Sequence, residues 1–169
     1  PDGLAQAFII GADFIGDDFC IAAYKHYREQ CIQAHSRSKG VYTEETPNVS
    51  MDKLLTTIVE KYPRKPLVVD FWGTGCGPCM LDLCQNEAKK DEQTTYVYIT
   101  CDRWSSTTEW NKTINKVKGH HYYVSDDAFY YMMEQVGHKQ GSIPFKVHYD
   151  NNGNIVKTVV GYYPSGSEP

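Results

Sequence analysis

Residues 67–79, LVVDFWGTGCGPC, constrain this chain more than any other stretch. Residues 67–72 are apolar except for Asp70. Such a run suits a short strand covered on both faces of a parallel sheet. Gly73-Thr74-Gly75 interrupts it, and Cys76-Gly77-Pro78-Cys79 then opens a helical pattern that runs to about residue 90. A cysteine reacts as its thiolate, so a site that uses one must favour the anion. The first turn of a helix does this through its free backbone N–H groups and the positive end of its dipole. Cys79 follows Cys76 by three residues, about one turn, which is close enough to close a disulfide. Pro78 occupies an early helical position where its missing N–H is no loss, and Gly77 keeps the approach uncrowded. A CxxC pair can also serve as half of a zinc site. A second CxxC is absent, and Cys84, Cys101, His120 and His121 lack the usual ligand spacing. The strand before the pair, the helix after it and the Pro within it favour redox chemistry.

The remaining pattern supplies a layered α/β frame for that motif. Helices are predicted over 17–36, 50–62, 106–118 and 126–136, with Ser50 as a candidate cap for the second. Further strands are predicted over 96–101, 145–149 and 155–160, the last two joined as a hairpin by Asp150-Asn151-Asn152-Gly153. This order gives a mostly parallel sheet with helices on both faces and an antiparallel edge. Residues 36–49 read as a polar linker, and His120-His121 as part of a loop. Residues 1–16 carry no firm assignment. Residues 1–30 lack the form of a signal peptide, and no apolar run reaches the roughly 18 residues of a membrane span. At 169 residues the chain can bury a real core without disulfide staples. A net charge of −4 with scattered Lys and Arg gives no basic face for nucleic acid. Cys20 and Cys31 fall three turns apart on one helix face, too far to pair. Cys84 and Cys101 read as buried thiols rather than a second pair.

Val68–Cys79 resembles thioredoxin, and especially the extracytoplasmic thiol–disulfide proteins of the TlpA type; Gly141–Phe145, GSIPF, resembles their cis-proline loop. The resemblance covers about residues 47–163. It implies a thioredoxin fold, a mixed central sheet flanked by helices, over 47–169, preceded by an N-terminal helical extension and linker over 1–46. It implies an exposed nucleophile at Cys76, a buried resolving thiol at Cys79, a buried acid at Asp70 and a cis-proline at Pro144. Trp72, Gly75, Ile143 and Phe145 are expected around the substrate. No metal, flavin or nucleotide is implied, because the electrons reside on the two sulfurs. The implied partners are protein or small-molecule disulfides and dithiols and a separate redox partner, and the implied compartment is the bacterial cell envelope or periplasm. The implied reaction is disulfide reduction, with oxidation, isomerisation or a redox-silent binding module as alternatives.

Several positions depart from that pattern. Gly75 stands where the family has Trp, Gly73 where it has Ala, and Cys84 where it often has Pro. Phe145 stands where Thr is common, which predicts a more apolar substrate-facing surface. The chain closes soon after GYYPSGS, which leaves no room for the family's C-terminal helix. The helix carrying Tyr24 and Tyr27 is the expected cover for that sheet face.

Overall fold

The computed structural model describes residues 18–33 and 36–163. Chain order gives α1 (Asp18–Gln33), β1 (Val41–Thr43), α2 (Met51–Glu60), β2 (Leu67–Phe71), α3 (Gly77–Asn86), β3 (Thr95–Cys101), α4 (Thr107–Thr113), β4 (Gly119–Val124), α5 (Asp126–Gln135), β5 (Phe145–Tyr149) and β6 (Ile155–Val160). Short 3-10 turns extend α3 over Glu87–Lys89 and α4 over Ile114–Lys116. The strands form one mixed sheet in the order β1-β4-β3-β2-β5-β6. The first three pairings are parallel, and β2-β5 and β5-β6 are antiparallel. The mixed sheet flanked by helices is the architecture expected from the sequence.

Alternation along β2 divides its side chains between two cores. Leu67, Val69 and Phe71 point to the face covered by α2 and α5, where they meet Leu54, Ile58 and Phe129. Trp72 packs on the opposite face with Tyr24, Met80, Leu83, Trp110 and Ile114, under α1, α3 and α4. Phe129 is fully buried and meets Phe71 edge-on at a centroid distance of 5.4 Å. Phe129→Ala is expected to lower the unfolding free energy by about 3–5 kcal/mol, read from urea denaturation followed by circular dichroism.

Two strands were missed in the sequence. Residues 41–43, within the polar stretch read as a linker, run beside β4 as a parallel edge strand. The His pair, read as loop, lies inside β4. His120 turns toward Glu44, whose Oε1 is 2.6 Å from His120 Nδ1. His121 is buried on the other face and donates from Nε2 to the Val117 carbonyl at 2.7 Å. Burial holds its imidazole neutral, with a pKa down to about 3. Strand alternation sends the two His to opposite faces, and the Nδ1 of His121 is buried without a hydrogen-bond partner. Ser50 is the N-cap of α2, although its side chain makes no capping bond.

Cys31 and Cys101 are buried outside any disulfide. Cys101 belongs to the α2/α5 core, whereas α3, which carries Cys84, covers the other face. The sheet separates them, so the 84–101 pair does not form. Cys20's side chain and residues 1–17 lie outside the described residues, as do residues 164–169. Among the described residues no helix is long and apolar enough to cross a membrane.

Candidate active site

The chain leaves the carboxyl end of β2, a central strand, and enters α3 through Gly73–Cys76. Cys76 is the N-cap of α3, with extended backbone, and its sulfur accepts the Cys79 N–H at 3.2 Å. Pro78 lies in the first turn, where the helix has no acceptor for an N–H. Cys76 and Cys79 are joined in a disulfide with Cα atoms 5.2 Å apart. Cys76 is 7% exposed and Cys79 1%, so Cys76 is the less deeply buried of the pair.

The Gly loop is clasped from the side by the turn that follows β3. Gly75 N–H donates to the Trp104 carbonyl at 2.9 Å, and Thr74 N–H to Ser105 Oγ at 2.9 Å. Ser105 Oγ is bonded in turn to Thr100 Oγ1 at 2.8 Å. This closeness explains the glycine where the family has alanine. A Cβ at Gly73 would lie 2.7 Å from the Trp104 carbonyl oxygen and closer still to its Cβ. Gly73→Ala is expected to destabilise the fold by about 1–3 kcal/mol, visible as a lower urea midpoint at unchanged slope.

The second loop approaches from β5. The Ile143–Pro144 peptide is cis, and the Ile143 carbonyl oxygen lies 3.7 Å from Cys76 Sγ. His138 fixes this loop: its Nε2 is 2.9 Å from the Ser142 carbonyl, and its ring stacks on Phe145 at 4.3 Å. Phe145 and Trp72, expected around the substrate, place their side chains inside the fold. Phe145 is 1% exposed and stacks between His138 and Phe71, and Trp72 is fully buried against Tyr98. Both side chains pack beneath the two loops. Ile143 and Gly75 remain at the rim.

Beneath α3 lies a group of charges. Asp70 is 4% exposed, on the face of β2 that α3 covers, and its Oδ1 has no hydrogen-bond partner. Burial pushes its carboxyl up to about 7; the Lys146 charge opposes the rise and Asp82 adds to it. Lys146 pairs with Asp82 at 2.5 Å, and Lys90, itself held below the usual lysine range by burial, stands over the Tyr98 ring at 4.7 Å. A groove of about 350 Å³ reaches this group from solvent, between α3 and the β2/β5/β6 end of the sheet. The α1 helix does not line it. It lies over α3 and α4 instead, so the expected cover by Tyr24 and Tyr27 is displaced from that end.

Sequence reasoning missed Trp104, Ser105, Tyr130, His138, Asp82 and Lys146. The available signal was the cluster of Trp and two Ser directly after β3, at the strand end where a site gathers.

No protein-family model and no curated protein sequence matches the chain. Among solved structures it is similar to a candidate thioredoxin from Neisseria meningitidis. The identity is 18% over 62% of this chain and 69% of that chain, with a TM-score of 0.50. It is also similar to the thioredoxin domain of a thiol-disulfide oxidoreductase from Bacteroides vulgatus, at 24% identity over 60% and 74% of the two chains and a TM-score of 0.47. StoA from Bacillus subtilis matches at 20% identity over 60% and 78%, with a TM-score of 0.45. The first likeness shows the fold, which is thioredoxin-like.

Proposed function

We propose that this chain is a thiol–disulfide oxidoreductase that cycles Cys76 and Cys79 between dithiol and disulfide, and that it reduces protein disulfides in the bacterial cell envelope. The observation that carries the reading is the disulfide across the first turn of α3, with the more exposed sulfur at the helix N-cap. The envelope assignment rests on the resemblance of Val68–Cys79 to TlpA-type proteins.

In the reducing direction Cys76 thiolate attacks one sulfur of a substrate disulfide, and the other leaves as a thiolate that takes a proton from water. Asp70, ionised, accepts the Cys79 proton. Cys79 thiolate then attacks the Cys76 sulfur and expels the second substrate sulfur. Two electrons pass to the substrate, and the enzyme is left as the Cys76–Cys79 disulfide. A separate dithiol donor must reduce it again. An acid with a pKa near working pH is suited to this exchange, because neither of its forms is strongly preferred. The Ile143 carbonyl and the cis-proline loop offer backbone to a substrate chain beside Cys76.

The deciding experiment is a redox titration of the full chain against glutathione and dithiothreitol couples, followed by Trp fluorescence and alkylation mass shift. A two-electron transition absent from Cys76→Ala supports the reading. A midpoint near about −270 mV makes the protein a reductant, and one above about −180 mV an oxidant or isomerase. A pair that never titrates overturns catalysis and leaves a redox-silent binding module.

A further inference from the structure

Cys76 reacts in the gap between two loops, residues 73–75 and residues 141–144. Among the described residues, neither loop is fixed to the other by backbone hydrogen bonds of the sheet. Besides the approach of Cys76 Sγ to the Ile143 carbonyl, a side-chain hydrogen bond links the elements that hold them. Trp104 holds the first loop by accepting the Gly75 N–H on its carbonyl, and its indole Nε1–H donates to the Tyr130 hydroxyl at 3.0 Å. Tyr130 stands on α5, and its ring closes on the second loop: a Cβ at Gly141 would lie 2.8 Å from Tyr130 Cε1. Gly141 also has a φ of +68°, so a side chain there is refused by both backbone and neighbour. Phe129, in the core, meets the Tyr130 ring edge-on at 5.4 Å and anchors it. Trp104 and Tyr130 are both half-buried, which places them where the core meets the rim. Their indole–hydroxyl bond links residues 26 positions apart.

We infer that Trp104 and Tyr130 form a positioning tie that sets the gap between the CGPC loop and the Ile143–Pro144 loop, and so selects extended polypeptide disulfides over small ones. The inference rests on the thiol–disulfide reading above. A small disulfide needs only the Cys76 sulfur. A polypeptide must meet both loops at once, and holding them at one separation prepays that ordering. The Trp104 carbonyl lies 3.2 Å from where a Gly75 Cβ would sit, so the tie reaches the first loop at the residue next to Cys76. Neither residue supplies a reacting group.

Tyr130→Phe removes one hydroxyl and keeps the ring, and Trp104→Phe removes the donor and keeps the carbonyl. Each is expected to raise KM for insulin about fivefold, the size one net hydrogen bond supports. The kcat for insulin should stay within about twofold, and the rate with hydroxyethyl disulfide should be unchanged, because no reacting group is touched. The double variant should be no worse than either single, since both break the same bond. Equal slowing on both disulfides, an unchanged insulin KM or additive losses overturn the proposal. Amide hydrogen exchange at Gly75 should rise by a similar factor in Tyr130→Phe, and unchanged exchange overturns the tie whatever the activity. If the wild-type protein turns over neither disulfide, the thiol–disulfide reading and the selectivity fall together, and Gly75 exchange alone then decides the tie.

Discussion

Cys76→Ala is expected to lose disulfide-exchange activity by about a thousandfold or more, the scale of removing a nucleophile. Cys79→Ala should behave differently. Its Cys76 can still attack, but nothing resolves the product, so a mixed disulfide accumulates. With oxidised glutathione this appears as one glutathione adduct in intact mass. The assignment follows from position. Cys76 caps α3, where backbone N–H groups favour its thiolate, and it is the more exposed of the two. Cys79 lies one turn inside, buried in the core on the α3 side of the sheet. An adduct that forms in Cys76→Ala and fails in Cys79→Ala would reverse the two roles. Absence of an adduct in both would remove nucleophilic chemistry from this pair.

Asp70→Asn should change the pH dependence of stability between about pH 4 and 8. The native carboxyl titrates at about 7 and its ordinary value is 3.8. Below about pH 4 the acid is protonated in native and unfolded chains alike and contributes no difference. Between about 4 and 7 the unfolded chain releases the proton while the native chain retains it, so native stability falls as pH rises. Above about 7 the native acid also ionises, and the loss levels off. Roughly three pKa units at 1.36 kcal/mol each make an upper bound of about 4 kcal/mol. Asparagine cannot ionise. The variant should therefore be close to wild type at pH 4 and more stable at pH 8 by up to that amount. Urea unfolding at pH 4, 6 and 8 measures it, and parallel profiles for the two proteins would sink the argument. The same substitution should prolong the mixed disulfide, because Cys79 loses its proton acceptor. A variant that is more stable and slower to resolve would identify Asp70 as a strain the fold retains for its chemistry.

The parts legible in the sequence are those set by neighbours along the chain. The β5–β6 hairpin falls on the expected residues because Asp150 organises its own turn, accepting the Asn152 and Asn154 N–H groups. The strand–Gly loop–helix around Cys76 is equally local. β1 was not legible, because its three residues become a strand only by lying against β4. β4 was obscured by two adjacent His, whose polarity masks an alternation that places one on each face of the sheet. At the site, an acid in an apolar strand was visible, but its Lys146 and Asp82 company was not. That company comes from β5 and α3, far along the chain. Trp104 and Tyr130 were invisible as a pair for the same reason. The burial of Phe145 was not legible, because position after a proline says nothing about which face of β5 the side chain takes.

The division of the molecule into two cores also partitions its sulfur chemistry. Cys101 lies behind the sheet, with burial first among the causes that push its thiol up to about 12, and Cys31 is buried with its thiol raised for the same leading reason. Thiolate fraction and access both govern attack by oxidants and alkylating reagents. These two sulfurs are thus chemically quiet in the native state, while the pair at the α3 N-terminus meets solvent through Cys76. The sheet stands between Cys101 and the Cys76–Cys79 pair, whereas Cys31 on α1 and the partly exposed Cys84 on α3 lie on the pair's own side of it.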